Sequence, residues 1–353
     1  MRCFKMLIGL AGCCYALFIA GCSIKDEAYT PPGTTNPPDT TTVYTDITGP
    51  TVVTGVVDTN SQHFYLCSYF LNSNDVAGAR LALSSDGIVW QLFNEGKPIM
   101  VPTIGSEHRQ RDPYIFYDST AKIFHFVWTT GWNGNDLGYS ESKDLKGWSK
   151  QIDLQVGAKI PNCSCVWAPE IFWDDIQHRF MIYWSTDNGT NGKRAWYVLT
   201  TDFKTFTDPA KLFDPGYSEI DGDILKVADG KYYLFFKDER NPDVQPTKNI
   251  HYVYGPTPQG PWSTVSSTIT QTGCEGPSAI KIGNVYRIYF DPYYDFTSTY
   301  RMVTVTNLDT TASPWPQGAI LTTATSNFSY NHCGIIEIPR IYVMHLLYNQ
   351  PIQ

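Results

Sequence analysis

The segment Arg111-Asp112-Pro113-Tyr114-Ile115-Phe116-Tyr117-Asp118 is restated along the chain, and that restatement narrows the available folds more than any other feature. Residues 167–174 read Trp-Ala-Pro-Glu-Ile-Phe-Trp-Asp, keeping the Pro, Ile, Phe, an aromatic residue and the closing Asp in register. Fainter copies stand at Ile220-Asp221-Gly222-Asp223-Ile224-Leu225, Glu275-Gly276-Pro277-Ser278-Ala279-Ile280 and Asn331-His332-Cys333-Gly334-Ile335-Ile336. With Asp112, Ala168, Asp221, Gly276 and His332 as equivalents, the steps are 56, 53, 55 and 56 residues. A steady period of that size signals a repeat architecture. Strand-like runs and no amphipathic helices lie between the copies, so each unit is a small sheet. Five small sheets around an axis make an all-β, five-bladed β-propeller. The five copies are then its innermost strands, converging on a central funnel. A two-sheet β-sandwich is the alternative, and it leaves the period unexplained.

Each unit adds further strand-like runs. Residues 63–70, 79–84 and 89–93 supply three, but no innermost strand precedes them. The segment 331–348 supplies an innermost strand and a second strand, but no outer ones. Joined, the two ends make one blade, so N- and C-terminal strands close the ring and leave no exposed edge. A turn, Ser84-Ser85-Asp86-Gly87, returns as Ser142-Lys143-Asp144-Leu145 and as Thr201-Asp202-Phe203. The fourth unit is expected to end on an outer strand at Trp262.

The formal charge of −8 over 353 residues excludes a nucleic-acid partner, whose phosphates need a basic surface. The aromatic content of 14%, with 23 Tyr and 10 Trp, suits a polysaccharide, since sugar rings stack on aromatic faces. Arg2 and Lys5 precede an apolar run that ends Ile19-Ala20-Gly21-Cys22, the layout of a secretion signal with a lipobox-like terminus. Residues 1–21 are therefore expected to be a lipoprotein signal peptide, with Cys22 lipidated. Residues 22–49, rich in Pro and Thr, form a tether. Residues 50–353 form the propeller. The expected setting is export to the bacterial outer membrane as a monomer, touching the membrane only through the lipid. Beyond the signal remain Cys67, Cys163, Cys165, Cys274 and Cys333, an odd number that argues against a disulfide framework. Cys274 and Cys333 flank neighbouring copies and could meet.

Five acids lie on the innermost copies: Asp112, Glu170, Asp221, Asp223 and Glu275. A carboxylate aimed into a crowded funnel costs desolvation energy and is seldom kept without a task. Hydrolysing a glycosidic bond needs one carboxyl that donates a proton and another, ionised, that activates water. A third acid nearby can keep the first protonated, because like charges push a pKa up. Asp223 shares a strand face with Asp221, while Asp221 keeps register with Asp112. Glu170 stands off that register, at the position of Tyr114, and reads as a residue that binds sugar hydroxyls or a neighbouring strand. Lys237, Asp238, Glu239 and Arg240 end a strand and read as a solvated charge cluster.

The chain resembles glycoside hydrolase family 43, the five-bladed propeller enzymes of clan F, over about residues 50–353. The residues that carry the resemblance are Arg111-Asp112-Pro113, Trp167-Ala168-Pro169, Ile220-Asp221-Gly222, Glu275-Gly276-Pro277 and His332-Cys333-Gly334. It implies that Asp112 is the general base, Glu275 the general acid, and Asp221 the residue that tunes and orients that acid. It implies that His332 lies in the funnel, often beside a hydrated metal ion such as Ca2+ in the family. Here His332 and Gly334 stand one residue further apart than the family's His-Gly, and Gly222 replaces the commoner Pro. No organic cofactor is implied. Arg111, Trp128, Trp167, Glu170, Asp223 and His332 complete the expected substrate-binding set; of Trp128, Trp132, Trp184 and Tyr293, which otherwise read as blade packing, one or two are expected to stack on sugar.

The function these readings imply is an inverting glycoside hydrolase of plant-type oligo- or polysaccharide. Exo-acting α-L-arabinofuranosidase or β-xylosidase activity is expected. A galactan-cleaving or endo-acting arabinanase or xylanase, and a non-catalytic glycan-binding propeller, are the alternatives.

Overall fold

The computed structural model describes residues 57–189, 192–240, 248–293, 300–309, 315, 319–323 and 330–352. The signal segment, Cys22 and the tether lie outside the described residues. β1 (Tyr65–Phe70), β2 (Arg80–Ser84) and β3 (Val89–Leu92) begin the fold. β4 (Arg111–Asp118), β5 (Ile123–Thr129), β6 (Leu137–Ser142) and β7 (Ile152–Leu154) form the next sheet in sequence order. β8 (Trp167–Asp174), β9 (Arg179–Thr186), β10 (Arg194–Thr200) and β11 (Ala210–Phe213) repeat it. β12 (Glu219–Ala228), β13 (Lys231–Asp238) and β14 (Ile250–Gly255) form a three-stranded sheet. β15 (Cys274–Ile282), β16 (Val285–Pro292), β17 (Arg301–Val305) and β18 (Ala319–Ile320) form another four-stranded one. β19 (Thr322–Thr323) and β20 (Asn331–Glu337) return to β3 and β1, and α1 (Arg340–Tyr348) follows.

The sheet β19-β3-β2-β1-β20 is the closing blade, built from both ends of the described chain. Tyr65 pairs with Glu337 and Cys67 with Ile335, so the last strand of the chain lies inside the first. The five blades and their closure match the expectation from the repeat.

One turn chemistry recurs because it supplies the same bonds each time. Ser84 Oγ accepts from the N–H groups of Asp86 and Gly87, and Asp86 Oδ1 accepts from those of Ile88 and Val89. Ser142 with Asp144, and Thr200 with Asp202, do the same for the turns after β6 and β10. Short polar side chains mimic a backbone turn in this way.

Two expectations are corrected. The second strand expected within 331–348 is the helix α1. Its buried residues are Tyr342, Val343, Leu346 and Leu347, pairs spaced by four that form one helical face. Asn349 ends it in the left-handed conformation. The outer strand expected at Trp262 is absent from the described residues. Ser263, Ser266 and Ile269 each donate one backbone bond to β14 without building a ladder, and Pro258 and Pro261 have no N–H to offer.

Trp128 is also corrected. It is wholly buried between Phe126, at 4.8 Å between ring centroids, and Gly138, where an added Cβ would lie 1.9 Å from the indole. It packs the interior of its blade and cannot stack on a sugar. Trp128→Ala is expected to cost about 3–5 kcal/mol of stability, as large-to-small core changes do, read as a lowered denaturation midpoint.

The cysteines Cys67, Cys163, Cys165, Cys274 and Cys333 are all free. Cys333 packs in one hydrophobic cluster with Cys67, while Cys274 packs in another with Trp315, so the expected meeting of Cys274 and Cys333 does not occur.

Candidate active site

Each innermost strand breaks its ladder at the same place. On β4, Arg111 pairs with Thr129 and Tyr114 with Val127, so three steps face two. The same slip separates Trp167 from Glu170, Ile220 from Asp223, Glu275 from Ser278 and Asn331 from Gly334. The inserted residue is left-handed at Asp112 (φ 46°), Ala168 (48°), Asp221 (58°) and Gly276 (56°). A bulge re-aims a side chain out of the sheet plane. A non-glycine residue held there costs about 1–3 kcal/mol, which marks these positions as constrained. At Gly276 a Cβ would stand 2.7 Å from the His332 ring, so only glycine fits.

The bulges bring Asp112, Asp221 and His332 together. His332 Nδ1 lies 3.3 Å from Asp112 Oδ1 and 4.0 Å from Asp221 Oδ1. Thr129 donates to Asp112 Oδ2 at 2.8 Å, and its own oxygen accepts from the Ala168 N–H at 2.8 Å. The Gly276 N–H donates to Asp221 Oδ2 at 3.1 Å. Burial pushes the Asp112 carboxyl up, but the bond and charge of His332, the Arg111 guanidinium and Thr129 outweigh it and hold it at about 2. Asp221 goes the other way. Burial raises it, the charges of Glu275 and Asp112 add to the rise against His332 and Lys237, and it reaches about 6. Two aspartates at equivalent positions are thus driven apart, which is how acid and base roles are separated. Burial lowers His332, yet Asp221, Asp112 and Glu275 raise it to about 10.

His332 Nδ1 faces the carboxylates of Asp112 and Asp221, which leaves Nε2 as the atom it would offer an ion. Among the described residues no three His, Cys, Asp or Glu side chains are grouped to hold a cation. His332 itself supplies the positive charge. Its stabilising effect is present below its ordinary pKa of about 6.5 and is lost as pH rises through about 10. His332→Gln is therefore expected to flatten the fall in melting temperature between pH 7 and 10. It should also release Asp112 upward, moving the acid limb of any activity profile to higher pH by about one unit or more.

Glu275 lies on the strand beside Gly276, and its Oε2 is 2.6 Å from Lys237 Nζ. Lys237 was expected in a solvated cluster. It is instead buried, with 4% of its side chain exposed, and pairs also with Glu239 Oε2 at 2.9 Å. Burial opposes its charge, but Glu275 and Glu239 hold it well above its ordinary range. Asp238, expected in the same cluster, is buried against Arg240 at 2.6 Å.

Glu170 and Asp223 meet in the interior, not at a sugar-facing surface. Tyr183 donates to Glu170 Oε2, the Ile224 N–H donates to Tyr183 at 3.0 Å, and the Ala279 N–H donates to Asp223 Oδ2 at 2.7 Å. Burial and their mutual charge raise Glu170, and burial carries Asp223 to about 7. Their expected contact with substrate is corrected: both are about 3% exposed.

Arg111 and Trp167 belong to a rim cluster. The Arg111 guanidinium lies 4.6 Å from the Phe70 ring and 4.3 Å from the Trp132 ring, and donates to Asp75 Oδ2 at 3.0 Å. Arg109 shares Asp75 and reaches Glu107. The Trp167 indole N–H donates to the Trp132 carbonyl at 3.0 Å, with Lys193 Nζ 4.1 Å from the Trp167 ring. Trp132, 37% exposed, is the aromatic surface this cluster presents to solvent.

Sequence reasoning missed Asp75, Lys237 and Asp291. A signal for two of them was present. The residues paired opposite four of the bulges are Thr129, Ser185, Lys237 and Asp291, all buried and polar at the end of apolar runs. They form a second periodic set, on the second strand of each blade, around the same funnel. Asp291 accepts from the Asn331 side chain at 3.0 Å, and burial with the charge of Glu275 raises it to about 7.

A profile for a glycosyl hydrolase family 43-related domain, described as a probable glycosyl hydrolase domain, matches residues 61–341. An alpha-L-arabinofuranosidase of Bifidobacterium longum subsp. longum is 33% identical over 200 residues, covering 48% of this chain. The match spans 19% of that relative's length. The crystal structure of an endo-1,4-beta-xylanase from Bacteroides thetaiotaomicron superposes with a TM-score of 0.57 at 14% identity, over 74% of this chain and 94% of that one. The likeness is one of fold. An alpha-L-arabinofuranosidase from Lactobacillus brevis aligns at 16% identity with a TM-score of 0.48, over 59% of this chain and 72% of that one.

Proposed function

Because the chain belongs to the glycosyl hydrolase family 43-related family, we propose that its propeller hydrolyses O-glycosyl bonds with inversion, using Asp112 as base, Glu275 as acid and Asp221 as the residue that tunes and orients the acid. The observation that carries this reading is the opposed treatment of Asp112 and Asp221. The same bulge aims both from separate blades at one histidine, yet one is held at about 2 and the other raised to about 6.

In the proposed step, Asp112 takes a proton from a water molecule as the water oxygen bonds to the anomeric carbon. The glycosidic C–O bond breaks with its electron pair going to the leaving oxygen, which takes the proton of Glu275. Asp112 ends protonated and Glu275 ionised, and exchange with solvent returns the proton. Asp112 is suited to its part because its carboxylate persists at all ordinary pH values. Thr129 and His332 fix its two oxygens.

We take the substrate to be an α-L-arabinofuranoside attacked from its end, in plant-type oligosaccharide, because the curated relative carries that activity in its name. The rim residues Trp132 and Trp167 are suited to stack on a leaving sugar. We also propose export and lipid anchoring at Cys22, supported by the lipobox-like Ile19-Ala20-Gly21-Cys22, and action as a monomer.

Incubation with arabino-, xylo- and galacto-oligosaccharides tests the reading, with proton NMR following the first-formed anomer. Release of terminal arabinose with inverted configuration is expected. Xylose, galactose or internal fragments would reassign the substrate. A retained anomer would overturn the roles given to Asp112 and Glu275. Glycan binding without any hydrolysis would make the propeller a binding module.

A further inference from the structure

The ion pairs around Glu275 continue beyond it. Lys237 Nζ is 2.6 Å from Glu275 Oε2 and 2.9 Å from Glu239 Oε2, and Lys248 Nζ is 2.6 Å from Glu239 Oε1. The four side chains form one alternating row, Glu275–Lys237–Glu239–Lys248. It runs from the start of β15, across the end of β13, to Lys248 just before β14. Tyr293 flanks the row, its ring centroid 4.9 Å from Lys237 Nζ. Lys237 is too deeply buried to meet a substrate, while Glu275 keeps about a third of its side chain exposed.

From this row we infer that Lys237 is a positioning residue for Glu275: it claims Oε2, leaves Oε1 to carry the transferable proton, and is itself braced by Glu239 and Lys248. The inference rests on the acid role proposed for Glu275. A neutral carboxyl group still accepts from an ammonium through its carbonyl oxygen, so the contact at Oε2 holds in the protonated state. One oxygen is thereby fixed as acceptor and the other becomes the donor. Proton transfer to a leaving oxygen depends on such fixing, since a displacement of about 1 Å can cost about 10²-fold in rate. The row also ties the acid to Glu239 and Lys248, so substitutions at these two residues should act on the chemistry through Lys237.

The test compares two leaving groups. A sugar alkoxide must be protonated as it departs, whereas 2,4-dinitrophenolate departs unaided. Lys237→Met is expected to lower kcat on arabino-oligosaccharides by about 10–10²-fold and on the dinitrophenyl arabinoside by less than about threefold. Loss of folded protein would lower both equally. Because Lys237→Met removes a buried charge, takes from Glu275 its ion-pair partner and is prone to misfold, Glu239→Gln is run beside it. Glu239→Gln keeps the Lys237–Glu275 contact, removes one brace, and is expected to give the same pattern at about 3–10-fold on oligosaccharide. Equal losses on both substrates in a variant with wild-type thermal melting, or oligosaccharide rates unchanged in both variants, would overturn the inference. Glu275→Gln is the reference: if it shows the leaving-group pattern and the Lys237 and Glu239 variants do not, the acid role stands and the positioning role falls. If Glu275→Gln lacks the pattern too, the acid role itself has failed.

Discussion

Asp112→Asn should lower kcat on arabino-oligosaccharides by about 10³-fold or more, near the upper part of what a general base contributes, with KM within about threefold of wild type. The amide keeps the volume of the carboxylate and still accepts from Thr129, so the bulge on β4 and the funnel shape survive. What it lacks is the negative charge that takes a proton from water. The loss should therefore persist across the pH range instead of reappearing as a shifted limb. The substitution also touches stability, with a definite sign. Asp112 is depressed from its ordinary 3.8 to about 2, so its contribution is present above about pH 4 and disappears as pH falls through about 2. At neutral pH that contribution is about 2 kcal/mol, so thermal melting must accompany the kinetics. An Asp112→Asn protein that is folded but retains a tenth or more of the wild-type rate would remove Asp112 from the base role.

The repeat was legible because the same backbone event recurs in it. The residues aligned as Asp112, Ala168, Asp221 and Gly276 prove to be the left-handed residues of four equivalent bulges, and the fifth copy carries the same slip. A bulge constrains its neighbours, with a Pro after Asp112, Ala168 and Gly276 and apolar residues further on, and that pattern can be read along the chain. Ring closure followed from two incomplete ends, and no single residue was needed for it.

The failures share a physical origin. Lys237 closes a run of apolar residues and opens a charged one, so the chain itself suggests a side chain reaching water. It is buried by Glu275, which lies on another blade, and by Glu239, which in turn needs Lys248. Charges are buried through partners distant in sequence, and local composition cannot report them. Asp223 was read as facing the funnel beside Asp221, and Glu170 as binding either sugar in that funnel or a neighbouring strand. They found each other and Tyr183 below it instead. Trp128 failed for a simpler reason. Alternation along β5 sends neighbouring side chains to opposite faces of the blade, and both faces pack against other blades. An aromatic there looks the same whether it faces core or cleft. In α1, Tyr342-Val343 and Leu346-Leu347 bury one helical face, yet a run of nine residues is short enough to pass for a strand.

Glu275→Gln carries the second large effect, and its diagnostic is a difference between substrates. On arabino-oligosaccharides kcat should fall by about 10²–10³-fold, since the departing alkoxide loses its proton donor. On the dinitrophenyl arabinoside the fall should stay within about fivefold, because that leaving group needs little protonation. The structure makes this contrast sharper than a simple deletion would. Glutamine keeps a carbonyl oxygen for Lys237, so the ion row loses one charge but not its contact, and Lys237 retains Glu239 at 2.9 Å. Gly276 and its N–H bond to Asp221 are untouched, so the tuning carboxyl stays where it is. Equal falls on both substrates would mean that Glu275 supports the funnel without donating a proton. Asp221, which faces His332 and whose pKa of about 6 keeps part of it protonated in mild acid, would then be the first candidate for the donor. Asp221→Asn would then show the leaving-group contrast that Glu275→Gln lacked, and the two variants together identify the donor.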